Sequence, residues 1–328
     1  MAAVRSIIAH PADNSGCGWY RIVIPAHVLQ NYENIQCKVG PIFEINTTNM
    51  RLDPGSLVVM HRQTEEIQLK IVHTYQRVGK RVLHDIDDLL WEVPISNPYR
   101  REFSNERRKN LDSIMRAVDV LTVSTVPLAE EVYRRYRRTP HVVPNVLIPS
   151  TYRAPRPRTG DKLRVGWAGT NTHAVDLERI HHVVRETKDT VQWVFMGYRP
   201  ESLAAYGELL GYAPTQQYMQ RLADLNLDVA LAPLEHSRFN ECKSNLKLIE
   251  FGSLGLPVIS SDVYPYRANP GVLIKNSRRE WKEWIDAIKA YDADDSLRML
   301  HATATYEYAN LFRADTDDYR RTLKAAWQ

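Results

Sequence analysis

Short apolar runs alternate with helix-forming stretches along this chain, and the alternation occurs twice, on either side of a proline-rich segment. In the first series Val4–Ala9, Ser56–Met60, Arg81–His84, Val120–Val123 and His141–Val143 read as strands, with helices near Ile22–Asn31, Glu65–Val78, Arg107–Ala117 and Leu128–Tyr136. In the second, strands at Leu163–Trp167, Val191–Met196, Val229–Ala232, Pro257–Ser260 and Gly271–Ile274 alternate with helices near Ala174–Thr187 and Tyr218–Leu225. Parallel strands need a crossover between them, normally a helix, so this rhythm predicts an α/β chain with two doubly wound, Rossmann-like sheets. Between Pro149 and Gly160 three prolines and a glycine interrupt any apolar period. The expected organisation is therefore a first domain over 1–150, a linker over 151–160 and a second domain over 161–310 that faces the first across a cleft. A closing helix over 311–328 is expected to pack back on the first domain. Trp281, Trp284, Ile285 and Ile288 fall at core spacing in the helical C-terminal part.

A chain of 328 residues with 44% hydrophobic and 25% charged residues can bury two cores. No apolar run approaches the roughly 18 residues of a membrane span, and the N-terminus lacks a basic-then-apolar secretory pattern, so no membrane span and a cytoplasmic location are expected. Cys17, Cys37 and Cys242 are odd in number and far apart, which fits neither a disulfide framework nor paired zinc ligands. Residues 1–160 hold 22 Lys/Arg against 16 Asp/Glu, and the remainder holds 21 against 23. The first half is the basic half. Its clusters at Arg100-Arg101, Arg107-Arg108-Lys109, Arg134-Arg135 and Arg137-Arg138 read either as solvated helix faces or as a surface for a polyanion.

The chemistry-bearing residues gather after strands. His10 to Arg21 forms a loop with Gly16 and Gly18 that feeds a helix and permits close approach of a ligand to backbone. Position 21 is arginine where a dinucleotide fingerprint needs its third glycine, which argues against a nicotinamide oxidoreductase. His84, Asp85, Asp87 and Asp88 crowd a histidine and three carboxylates behind a strand, read either as an Asp-x-Asp metal grip or as a cluster orienting a hydroxyl or sugar. His61 and Arg62 follow another strand and face the same cleft. In the second half Thr170, Asn171, Thr172 and His173 follow a strand and can cap a helix. A helix capped by Asn240 and stopped just before Gly255 puts Lys243, Lys247 and Glu250 on one stripe, with Ser244 beside them. Two ammonium groups and a carboxylate suit the phosphates and ribose of a nucleotide; a salt-bridged surface helix is the plain alternative.

These residues together resemble the glycosyltransferases of the GT-B fold, the family 4-like "group 1" enzymes, in a phage-associated branch. The resemblance spans nearly the whole chain and rests on Gly16 and Gly18, His84-Asp85, Val123-Ser124, Val143-Pro144-Asn145, Gly166 to Gly169, and Lys243 through Val258. It implies that the second domain binds a nucleotide diphosphate sugar, a UDP-sugar first among them, and that the first domain binds a hydroxyl acceptor. Transfer would retain anomeric configuration and require no cofactor or metal. Glu250 would hold the ribose. Lys243 and Lys247, with the Thr170–His173 loop, would neutralise the diphosphate. Asp85, His84 and Asp87 would lie near the transferred sugar, Gly16, Gly18 and Arg21 would complete the donor pocket, and His61, Arg62 and Asp88 would stand on the acceptor side. The phage-like character and the basic first half suggest a hydroxymethylated DNA base or a virion protein as acceptor, with the host cytoplasm as the setting.

The chain departs from the family pattern at two places. Cys242 stands where the first glutamate of the Glu-x7-Glu signature belongs, and no Arg or Lys follows Gly169. Three rivals remain open at this level: a metal-dependent GT-A-like transferase, a nucleotide-sugar epimerase, and a noncatalytic nucleic-acid-binding protein on a degenerate transferase fold.

Overall fold

The computed structural model describes residues 4, 6–40, 57–158 and 160–328. Arg5, Ser56 and Thr159, expected in the first strand, the second strand and the linker, lie outside the described residues. Six strands come from the first half: β1 (Ser6–His10), β2 (Gln36–Val39), β3 (Leu57–His61), β4 (Arg81–Ile86), β5 (Val120–Val123) and β6 (His141–Val142). They pair in the order β2-β1-β3-β4-β5-β6, every neighbour parallel. The second half supplies β7 (Arg164–Gly169), β8 (Gln192–Gly197), β9 (Gly207–Leu210), β10 (Val229–Ala232), β11 (Val258–Ser261) and β12 (Val272–Ile274). These pair as β12-β11-β10-β7-β8-β9, again all parallel.

Continuous apolar runs form these strands because helices cover both faces of each sheet. Alternate residues then enter opposite layers: Leu57 and Val59 of β3 lie in one core, Val58 and Met60 in the other. In β10 the same division sends Val229 and Leu231 one way, Ala230 and Ala232 the other. The edge strands β2 and β9, which the sequence did not show, have mostly exposed residues and so carry no buried run.

After the helices Glu280–Ala293 and Asp295–Asn310 the chain returns to the first sheet, as expected. Leu147 and Arg313 form a parallel bridge, Thr316 caps the helix Asp317–Trp327, and Tyr319, Leu323, Ala326 and Trp327 enter the core that holds Ile24 and Val28. Trp284, Ile285 and Ile288 are buried in the second domain, with Trp281 packed against them.

Strand order locates the ligand crevice. Connections leave in opposite directions from β1 and β3 in the first sheet, and from β7 and β10 in the second. Open α/β sheets bind ligands outside the carboxyl ends of strands at such switch points. The loops there are 11–18 and 62–65 on one side, 170–173 and 233–245 on the other.

Candidate functional site

These four loops wall a cavity of about 500 Å³ between the two sheets. On the second-domain side, β7 ends at Gly169, where a Cβ would lie 2.7 Å from the Trp167 ring. Thr170, Thr172 and His173 then line the cavity, whereas Asn171 does not reach its wall. His173 Nδ1 donates to Asp176 at 2.7 Å, and the other Asp176 oxygen accepts the Glu235 N–H at 2.7 Å, tying the loop after β7 to the loop after β10. Burial and the nearby Lys243 charge lower the His173 pKa against the pull of Asp176, so its ring favours the neutral form.

The helix expected from Asn240 to Gly255 is two helices, Arg238–Glu241 and Leu246–Ser253. Ser237, not Asn240, caps the first, accepting the Asn240 N–H at 3.2 Å, and the Asn240 side chain donates to the Glu235 carbonyl. Lys243 therefore sits in the turn between them and shares no helix face with Lys247. Gly255 does stand just past the second helix, at φ +68, where a Cβ would meet Pro155 N at 2.4 Å.

Lys243 and Lys247 both line the cavity but stand in different electrostatic states. Lys247 Nζ donates to Glu250 and to the Tyr218 hydroxyl, each at 3.1 Å. Burial alone would lower its pKa; Glu250 outweighs that and raises it. Lys243 lies over the Phe239 ring, 5.2 Å from its centroid, and makes no salt bridge among the described residues; the carboxylate that feels its charge is Asp176, already bonded to His173 and the Glu235 N–H. No side chain caps the helix Leu246–Ser253, which leaves its first N–H groups without a side-chain acceptor, and Lys243, Ser244, Leu246 and Lys247 around its start line the cavity. Glu250 is 2% exposed and accepts from Tyr20 at 2.8 Å and Tyr218 at 3.2 Å. A carboxylate has about four acceptor sites, so a further donor fits.

On the first-domain side Asp13 shapes the loop after β1 by accepting from Ser15 N–H and Gly18 N–H at 2.8 and 3.2 Å. A Cβ on Gly18 would lie 2.1 Å from the Asp13 carbonyl oxygen. Gly18 thus serves loop closure, while Gly16 and Cys17 line the cavity. Burial pushes the Cys17 thiol up, leaving it protonated. Arg62, at φ +52, places its guanidinium against Asp87 and, at 2.5 Å, Asp88, with its face 5.6 Å from the Tyr99 ring centroid. His61 is fully buried behind them and holds Asp87 at 3.2 Å. Burial would raise the Asp87 pKa, but the Arg62 charge and the His61 contact hold it well below the carboxylate range. Arg62, Asp87 and Asp88 face the cavity; His61 supports them from the core.

Besides Asn171, Gly18 and His61, three more expected site residues, Arg21, His84 and Asp85, lie outside the cavity wall. Strand β4 runs to Ile86, two residues beyond the expected end, so His84 and Asp85 belong to the sheet rather than to a loop. Asp85 takes a two-pronged contact from Arg21, at 3.0 and 2.7 Å, and the Thr122 hydroxyl at 2.6 Å. Arg21 also donates to the Val143 carbonyl and to Asn145, whose amide reaches Ser244 across the cleft at 2.9 Å. The Asp-x-Asp pair is thus divided between two arginines, Arg21 and Arg62, rather than arranged as a metal grip. His84 accepts the Gln63 N–H at 3.0 Å, and burial pushes its pKa down to about 3.

The buried, neutral His84 has a measurable consequence. In the unfolded chain it takes a proton near pH 6.5, so the unfolded state binds more protons as pH falls from 6.5 towards about 3. Stability is present above that window and declines through it, by up to about 1.4 kcal/mol per pH unit. Asp87 adds loss of the same sign below the ordinary carboxylate range. Thermal midpoints should fall steadily from pH 6.5 to 4.5; a flat profile would contradict the buried neutral imidazole.

Several wall residues carry no signature in the sequence. Tyr20 and Tyr218 converge on Glu250 from opposite domains. Tyr212, 64% exposed, stands against Gly197, which adopts φ +86 and whose added Cβ would lie 3.3 Å from that ring. Cys242 is fully buried in the first-domain core, its carbonyl accepting from Thr125 at 2.7 Å and its thiol pushed up to about 12 by burial. The position where the family pattern has a glutamate is turned away from the cleft.

No known family model matches the chain, and no curated protein sequence does so significantly. Solved structures match over its full length. HepE from Anabaena, in complex with UDP-glucose, aligns with TM-score 0.68 and 12% identity over 98% of this chain and 100% of that one. This is the GT-B fold. An alpha-glucosyltransferase in complex with UDP-glucose and DNA containing an abasic site gives TM-score 0.68 and 12% identity over 100% of both chains. Sucrose-phosphate synthase from Thermosynechococcus elongatus, another GT-B protein, gives 0.64 and 13% over 94% of each. At such identity the likeness is one of fold. Among the described residues, no helix of this GT-B chain is long and apolar enough to cross a membrane.

Proposed function

We propose that this protein transfers a sugar from a nucleotide diphosphate sugar to a hydroxyl acceptor with retention of configuration, using UDP-glucose or a similar UDP-sugar as donor. One observation carries the reading: among the described residues Lys243 stands outside any salt bridge beside the uncapped amino end of Leu246–Ser253, on the second-domain side of a GT-B cleft, with the one carboxylate that feels its charge, Asp176, bonded elsewhere. A cation and free helix N–H groups at one point suit a diphosphate. Ser244, Thr170 and His173 complete its surroundings. Glu250 accepts from the ribose hydroxyls, held in place by Tyr20, Tyr218 and Lys247.

The acceptor enters beside Arg62, Asp87 and Asp88, and its hydroxyl is carried by a hydroxymethylated DNA base or a virion protein. The bond from the anomeric carbon to the diphosphate breaks as the bond to the acceptor oxygen forms. Asp87 and Asp88 are both committed to Arg62, which makes them weak bases. The hydroxyl proton passes instead to the leaving phosphate oxygen, on the face from which the nucleotide departs, and this supports retention. Asp87 keeps its negative charge and stabilises positive charge on the sugar ring. Arg21, His84 and Asp85 act from behind, as the frame that fixes Asn145 and the acceptor loops.

UDP release from UDP-glucose tests the reading. Wild type is expected to release UDP slowly without acceptor. Glu250→Gln, which keeps shape and removes charge, should raise the donor KM about tenfold with kcat little changed. Absence of turnover with a panel of UDP-, GDP-, ADP- and dTDP-sugars would overturn the assignment.

A further inference from the structure

Asn97 lines both the cleft and a neighbouring shallow hollow of about 700 Å³, whose other walls are Ile95, Ser96, Pro98, Arg100 and Arg101. No carboxylate lines that hollow. Arg100 is fixed by the Val93 carbonyl at 2.5 Å, and Arg101 is exposed. The chain runs from here into the helix Asn105–Ala117, where Arg108, Lys109, Asp112 and Arg116 share one stripe.

The single acid of that stripe is neutralised. Arg135 contacts Asp112 at 2.9 and 2.7 Å, and the Tyr136 hydroxyl donates to it at 2.6 Å. Arg138 joins the carboxyl end of the stripe through the Met115 and Arg116 carbonyls, and Arg116 lies over the Tyr136 ring at 5.3 Å. Arg101, Arg108, Lys109, Arg116 and Arg138 make no salt bridge among the described residues, although Arg116 and Arg138 feel the charges of Asp112 and Asp119, whereas Arg107, on the opposite face, pairs with Glu65 and Glu102. Residues 95–138 hold ten Arg/Lys against six Asp/Glu. The stripe starts near the cleft, by the hollow, and runs down the flank of the first domain to Arg138 at the amino end of β5.

We propose that this flank docks duplex DNA through its phosphodiester backbone. From Arg108 to Arg116 the stripe covers about 12 Å of helix axis, and the hollow extends it towards the cleft. A duplex carries one charge per about 1.7 Å of axis, so such a row meets several phosphates, and guanidinium groups bind them by paired N–H donors. The cleft itself has the opposite sign on its acceptor side, with Asp13, Asp87 and Asp88 against Arg62. Phosphates therefore stay on the flank, and only an uncharged, hydroxyl-bearing part of the DNA enters past Asn97. The transferase reading supplies what the DNA carries into the cleft; the docking does not depend on it.

The test is fluorescence anisotropy of a labelled duplex between about 50 and about 200 mM salt, without donor. About five phosphate contacts give a log–log slope near −4.5. The variant Arg101→Glu/Lys109→Glu/Arg116→Glu should bind at least about a hundredfold more weakly, with unchanged melting temperature and unchanged UDP release from UDP-glucose; the alanine version should show a smaller loss in the same direction. Salt-independent or absent binding by wild type, undiminished binding by the triple variant, or equal competition by polyglutamate would each overturn the proposal. Duplex binding with no UDP release would count against the transferase reading alone.

Discussion

Arg21→Met is expected to destabilise the protein by about 3–5 kcal/mol, lowering the melting midpoint by the order of 10 °C. Arg21 and Asp85 are 2% and 1% exposed, and their ion pair joins the helical turn after β1 to the carboxyl end of β4. Removal of the guanidinium leaves a buried carboxylate with the Thr122 hydroxyl and a distant His61 ring at 4.0 Å, and strips the Val143 carbonyl and Asn145 of a donor. Asp85→Asn should recover part of the loss in the double variant, since the uncompensated charge is then gone. Arg21→Lys keeps the charge but loses the two-pronged geometry, and should fall between. Because Asn145 reaches Ser244, some loss of donor affinity should accompany the stability loss. Unchanged stability with donor affinity abolished would instead place Arg21 in the donor pocket.

Lys243→Ala is expected to do the reverse. Its ammonium makes no salt bridge among the described residues and reaches Asp176 only at longer range, so stability should move by less than about 0.5 kcal/mol. Negative charge accumulates on the leaving diphosphate as the glycosidic bond breaks, and loss of one preorganised cation there should cost about 10²–10³ in kcat/KM, or about 2.7–4 kcal/mol. Lys243→Arg should restore part of the rate. Lys247→Ala provides the contrast: it leaves Glu250 without its cation and should lower stability as well as donor affinity. Steady-state kinetics and thermal melts of the three variants separate the roles, and wild-type turnover in Lys243→Ala would remove it from the site.

The fold was legible because buried parallel strands are written as unbroken apolar runs. Strands such as β5 and β10 appear in the sequence at their observed bounds, while β2 and β9 do not, because these two edge strands have no buried residue and so need no apolar run. The site was legible by loop and less so by side chain. Residue type shows that His84 and Asp85 follow apolar residues, but not that β4 continues to Ile86 and carries both inside. A helical wheel places Lys243 with Lys247 and Glu250; it cannot show that the Ser237 cap ends one short helix before Lys243 and that a second begins after it. Tyr20 and Asn145 belonged to segments noted for other reasons. Their partners Glu250 and Ser244 lie 230 and 99 residues away, and no local pattern encodes such contacts.

The central claim is that the second-domain wall binds a nucleotide diphosphate sugar through Lys243 and Glu250. A ligand that binds the native state alone stabilises it by about 2.7 kcal/mol at a hundredfold excess over Kd, a shift of several degrees. The most direct measurement is the melting midpoint of wild type and Lys243→Ala across a UDP-glucose titration. A concentration-dependent rise in wild type that is lost in Lys243→Ala is the predicted result; no rise with any nucleotide diphosphate sugar, or an equal rise in the variant, would contradict it.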